Sequence, residues 1–186
     1  MCSDWAVRDV VGHLIHEYDI YRAPHRLFGL VRFGLRVNRY LSEEACRVAA
    51  GRPITDLISA LEAAEFEQTR VWKRYTFPVY ALSEFVIHAQ DIRRPLGIGD
   101  KPSISQLKIT ADVFVRPPRG NPFARIFATK LPPTRFEATD TDWASGDGPT
   151  ARGPLEAIAM VLAGRGQALD DLTGDGVPPL AGAISR

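Results

Sequence analysis

The stretch that decides the fold lies between Pro78 and Pro95: Tyr80-Ala-Leu-Ser-Glu84-Phe-Val-Ile-His88-Ala-Gln-Asp91-Ile-Arg93. It is nearly all apolar and free of glycine and proline, so it predicts a helix over residues 80–93, ended before Pro95, with Pro78 stopping whatever precedes it. A helix with so little polar surface belongs in a core, and Glu84, His88 and Asp91 on it demand compensation. Glu84 and His88 stand four apart, on one face and one turn from each other, where they can share a metal ion. On exposed helices such a pair is commonly just solvated or ion-paired. The flanking Phe85, Val86, Ile87 and Ala89 are what point to a cation here, because a carboxylate among them is costly unless one offsets it.

Working outward toward the N-terminus, residues 54–75 repeat Leu57, Leu61, Ala64, Val71 and Tyr75 on one face with Glu62, Glu65, Glu67 and Lys73 around them, a long amphipathic helix started by Pro53 or Thr55. Residues 27–41 alternate apolar positions with Arg32, Arg36 and Arg39, and Ser42, Glu43 and Glu44 open another helical stretch. Residues 3–21 form a helix capped by Ser3, with Trp5, Val7, Val10, Val11, Leu14 and Ile15 at helical spacing. His13 lies among those apolar positions. Packed bundles build metal sites from facing helices, which makes His13 the natural third ligand; the alternative is a core imidazole bonded to a backbone carbonyl. His16 is a rival, set on a more polar edge by Glu17 and Tyr18, and His25 follows Pro24 in a loop.

Two imidazoles and one carboxylate are the ligand count of a catalytic zinc site, which keeps a position open, whereas structural zinc takes four ligands and favours cysteine. Neither Cys2 nor Cys46 has metal spacing, and Cys46 reads as a small buried thiol in a helix. Two cysteines make no disulfide framework, so a reducing cytoplasm is the expected setting.

Toward the C-terminus, Pro95, Gly97, Gly99 and Pro102 mark a boundary that divides the chain into residues 1–96 and 103–186. Beyond it come a helix over 103–115 capped by Ser103, a proline-rich stretch over 117–133, and a half-buried strand over 135–144 carrying Phe136 and Ala138, with Trp143 anchoring a turn at Gly146 and Gly148. Pro154 leads into an apolar helix over 155–163 ended by Gly164, and short helical pieces follow at 167–172 and 178–184. The fold class is mainly α, an all-helical first part followed by a small α+β part.

Composition agrees with a folded domain. Among 186 residues, 45% are hydrophobic and 24% charged, and the net charge of +1 leaves no electrostatic footprint for nucleic acid. No apolar run approaches the ~20 residues of a membrane helix, and the first nine residues lack the apolar core of a signal peptide.

Taken together, the run from Cys2 through Trp5, Arg8 and Asp9 to His13-Leu, the run Glu84 to Gly97 with His88 and Asp91, and the tail Ala138 to Trp143, Gly153-Pro154, Ala163-Gly164-Arg165 and Leu172 to Gly176 resemble the mycothiol-dependent maleylpyruvate isomerase family. The resemblance covers nearly the whole chain. It implies a DinB-like helical bundle holding a divalent metal, zinc first, followed by a small sterol-carrier-like α+β domain. It places the family's His, Glu and His ligands on His13, Glu84 and His88, makes Arg165 the catalytic arginine that orients a substrate carboxylate, and supplies mycothiol as thiol cofactor against a small electrophile. Isomerase and thiol-transferase chemistry both fit; a DinB-like hydrolase and a non-catalytic lipid-binding or small-molecule-binding module are the alternatives. Family members carry a first bundle helix ahead of Trp5 that has no counterpart here, so Val10, Val11, Leu14 and Val71 are expected to be partly exposed or covered by a second copy in a homodimer.

Overall fold

The computed structural model describes residues 5–22, 28, 29, 31, 33, 34, 36–63, 77–116 and 130–184. Cys2, the proposed cap Ser3, Pro24, His25, Val71, residues 64–75 of the long amphipathic helix and most of the proline-rich stretch lie outside them. The chain forms two units, Met1–Gly97 and Ile98–Arg186, divided within the Pro/Gly stretch that follows Arg94.

The described elements of the first unit are four helices: α1 (Val7–Arg22), α2 (Val37–Ala49), α3 (Ile54–Glu62) and α4 (Phe77–Arg93). Helix α1 begins later than its apolar spacing suggested. The Asp9 carboxylate accepts a hydrogen bond from the Ala6 backbone N–H at 2.9 Å, the backward half of a capping box, so the helix starts after Ala6. Trp5 therefore precedes the helix, its indole Nε1 donating to Ser42 Oγ at 3.1 Å, and Val7 is exposed. Helix α2 starts five residues before Ser42, because Tyr40 and Leu41 are core residues that extend its buried face through Ala45 to Ala49. Cys46 sits on the opposite face and is exposed, contrary to the buried thiol expected. Pro78 does not stop a helix but stands in the first turn of α4, where a missing N–H leaves no bond unmade.

Helix α1 packs on α2, α3 and α4. Val11 and Ile15 meet Ala49 and Leu57 in the centre of the unit. The approach of α1 to α2 is close enough to require glycine: a Cβ on Gly12 would fall 2.5 Å from the Ala45 carbonyl oxygen and 3.2 Å from Ala49 Cβ. Arg8 locks the same pair by donating from Nη2 to the carbonyls of Ala49 and Arg52 at the end of α2. Val10, Val11 and Leu14, expected to be partly exposed, are all under 9% accessible, covered by the packing of this chain alone.

In the second unit α5 (Ile104–Val115) starts at Ser103, which accepts from the Gln106 N–H while the Gln106 side chain accepts from the Ser103 N–H, a full capping box. Three short strands follow: β1 (Arg135–Ala138), β2 (Ala144–Ser145) and β3 (Thr150–Gly153), in the order β2-β1-β3. The single strand expected over 135–144 is thus a hairpin, with β2 antiparallel to β1, while β3 pairs parallel to β1 with Phe136 opposite Ala151. Gly146 turns the chain at φ +80, where a Cβ would strike the Thr134 carbonyl, so the residue is fixed by contact as well as by dihedral. Trp143 is half-buried and donates from Nε1 to Asp112 on α5 at 3.0 Å.

Helix α6 (Leu155–Leu162) is the core of this unit, buried at every position. Its first amide donates to Asp140 Oδ1 at 2.9 Å. Its end is a Schellman motif: Arg165 N–H reaches the Met160 carbonyl and Gly164 N–H the Val161 carbonyl, with Gly164 at φ +82. A 3-10 turn over Gly166–Asp171 and helix α7 (Val177–Ile184) complete the chain. Among the described residues no helix is long and apolar enough to cross a membrane.

Candidate metal centre

The centre is built by α1 and α4. On α1 the buried stripe that carries Val10, Val11 and Leu14 also carries His13, 1% exposed, so its imidazole faces the interior of the unit. On α4 the four-residue spacing brings Glu84 and His88 to one side. His13 Nε2 lies 3.7 Å and His88 Nε2 3.2 Å from the same oxygen, Glu84 Oε2. One ligand atom from each of the three residues falls within 4.8 Å of the other two.

These distances carry a test of fit. Zinc bonds of about 2.0–2.1 Å in a tetrahedron put neighbouring ligand atoms about 3.4 Å apart. The two distances to Glu84 Oε2 straddle that value, so each nitrogen already stands close to a tetrahedral edge length from the carboxylate oxygen. The donor set, two imidazole nitrogens and a carboxylate, is that of an open catalytic site. The side chain of Glu84 is 25% accessible whereas both histidines are buried, which leaves an approach on the carboxylate side.

Electrostatics favours the charged form of the carboxylate. Burial pushes the Glu84 carboxyl up, but hydrogen bonding and charge from His13 and His88 outweigh burial and hold it well below the usual carboxylate range. An anion is therefore in place beside the two imidazoles.

Two residues around the centre are singled out in the sequence without a role at the site. Asp91 is three residues beyond His88 on α4, and its Oδ2 lies 2.9 Å from His88 Nδ1, on the far side of the ring from Glu84. The i, i+3 spacing was a usable signal for it. Trp5 flanks both ligand rings, 5.2 Å from His13 and stacked on His88 at 6.3 Å with 27° between planes. Its position depends on the Ser42 contact across 37 residues, which no local pattern reveals.

His16, the rival on α1, is not one of the three clustered residues. His16 is not on a polar edge: it is 2% exposed, packed edge-on against Tyr40, with Nδ1 4.0 Å from Glu44 Oε2. Burial, only partly offset by Glu44, lowers its pKa to about 4, so this imidazole is neutral. Arg165 lies in the second unit, where its Nη1 donates to the Ala163 carbonyl at 2.7 Å, at the stop of α6. Comparison of the chain with protein-family models, with curated proteins and with solved structures gives no match.

Proposed function

We propose that this protein is a zinc-dependent thiol enzyme of the maleylpyruvate isomerase or thiol-transferase kind, with a DinB-like first unit, a sterol-carrier-like second unit and mycothiol as the thiol. The observation that carries the reading is the convergence of His13, Glu84 and His88, from two helices, on one point inside an apolar bundle. When bound, a divalent ion lowers the pKa of a coordinated thiol and so supplies a thiolate nucleophile at neutral pH. The protein's own part is to present two neutral nitrogen donors and one anion, to keep their burial intact, and to leave the Glu84 side open to reactants. Trp5 walls the imidazole side against water. A thiolate adding to a conjugated double bond permits rotation about the resulting single bond before it leaves again, which is the chemistry of cis–trans isomerisation.

Zinc titration against a chromogenic chelator, followed by assay of the loaded protein with mycothiol and maleylpyruvate, tests the reading. Tight zinc uptake and thiol-dependent turnover are expected. In Glu84→Gln, which keeps the shape and removes the charge, zinc affinity should fall by more than ~10-fold and turnover with it. Undiminished zinc in that variant would undo the ligand assignment; turnover indifferent to thiol would move the chain to the hydrolase reading, in which the metal activates water.

A further inference from the structure

We propose that Asp91 is a positioning residue for the metal centre: its carboxylate keeps the ring proton of His88 on Nδ1 and thereby selects Nε2 as the nitrogen that meets Glu84 and the metal. The inference rests on the zinc reading above.

A neutral imidazole carries one proton for two nitrogens, and the partner of one nitrogen decides what the other can do. His88 has a carboxylate at each end of its ring, Asp91 Oδ2 at 2.9 Å from Nδ1 and Glu84 Oε2 at 3.2 Å from Nε2. The two ends differ. The Asp91 side chain is only 5% accessible and lies a turn beyond the ligand face, so it serves the ring from behind, whereas Glu84 also faces His13. When a cation occupies the ligand face, Nε2 must offer a lone pair, and only one arrangement satisfies Asp91 at the same time. The opposite tautomer would set the lone pair of Nδ1 against a carboxylate oxygen at hydrogen-bond distance, two acceptors facing each other in a buried place. The Trp5 indole stacked over the ring opposes the half-rotation that would exchange the two nitrogens. Asp91 thus does for His88 what an outer carboxylate does in carboxylate–histidine–zinc arrangements generally: it fixes tautomer and orientation and makes the imidazole a stronger donor.

Two measurements test this. In zinc-loaded protein labelled with 15N-histidine, long-range 1H–15N correlation should show His88 with its single ring proton on Nδ1 and with Nε2 bound to metal; a proton on Nε2 overturns the proposal. In Asp91→Asn, zinc affinity by chelator competition should fall about 10–100-fold, and the visible spectrum of the cobalt-loaded protein should change, while Asp56→Asn on exposed α3 matches the parent. An Asp91→Asn protein whose metal-free form is less stable but whose zinc affinity stays within about twofold of the parent would make Asp91 a purely structural carboxylate and overturn the proposal. If Asp91→Asn does not fold, the proton position in the parent decides. Failure of the parent to take up zinc removes the zinc reading and this role with it, whereas zinc uptake with the wrong nitrogen removes only the role of Asp91.

Discussion

Helices α4 and α6 look alike in sequence, each a mostly apolar run carrying acid, yet they do opposite work. In α6 all eight positions are buried, the first amide is capped by the Asp140 carboxylate and the last turn is closed by the backbone stop at Gly164. Its burial is packing. In α4 the polar residues are of two sorts: Ser83 satisfies itself by donating to the Val79 carbonyl one turn back, while Glu84, His88 and Asp91 look outward along one stripe to each other and to His13. The comparison teaches that buried polarity signals a site only when the groups converge; a side chain that bonds its own helix is merely accommodated.

The sharpest way to break the comparison is to truncate the packing helix. Ile158 is fully buried, so Ile158→Ala should cost about 2–5 kcal/mol in urea unfolding, and added zinc should not narrow the loss. A cost below about 1 kcal/mol would mean that α6 is not the packed element described here.

Next in size is a difference in pH response. All four histidines precede residue 98, so any histidine-linked pH response belongs to the first unit. The pKa of His16 is lowered to about 4 in the folded chain from 6.5. The unfolded chain then binds the proton more tightly, so the His16 contribution is complete above about pH 6.5 and is lost as pH falls toward 4; its size is about 3 kcal/mol. His16→Gln should flatten the stability profile over that window, measured by urea midpoints at several pH values. An unaltered slope would place the titration elsewhere.

The smallest expected effect lies at the contact that sets the depth of His13. Gly12→Ala drives a methyl into the Ala45 carbonyl oxygen and should destabilise the protein by about 1–3 kcal/mol while displacing α1. Zinc affinity should weaken with it, since His13 is the next residue; a change in stability with affinity untouched would show that the site tolerates that displacement.

Much of this was legible in the sequence, for reasons that can be traced residue by residue. The Glu84–His88 pair and the buried face holding His13 follow from helical periodicity, and Ser103 announces its helix as a cap. What escaped depended on distant partners. Trp5 fits the apolar spacing of α1, but the Asp9 cap and the Ser42 contact pull it out of the helix. His16 looked polar from its neighbours in sequence, whereas its burial comes from Tyr40 on α2. Strand β3 was missed because Thr150 to Gly153 is short, ends in glycine and acquires its extended form by pairing with β1.

The compactness of that sheet along the chain has a kinetic consequence. Parallel strands are ordinarily joined through a helical crossover, yet β1 and β3 are joined by the hairpin strand and its glycine turn, so all three strands lie within residues 135–153. Closing so short a loop is entropically inexpensive, and hairpins of this size form in about 1–10 μs. The sheet and the helix that directly follows it can therefore assemble as one local event. The slow step of the second unit is then the arrival of α5, whose Asp112 must find Trp143 from the far side of the proline-rich stretch.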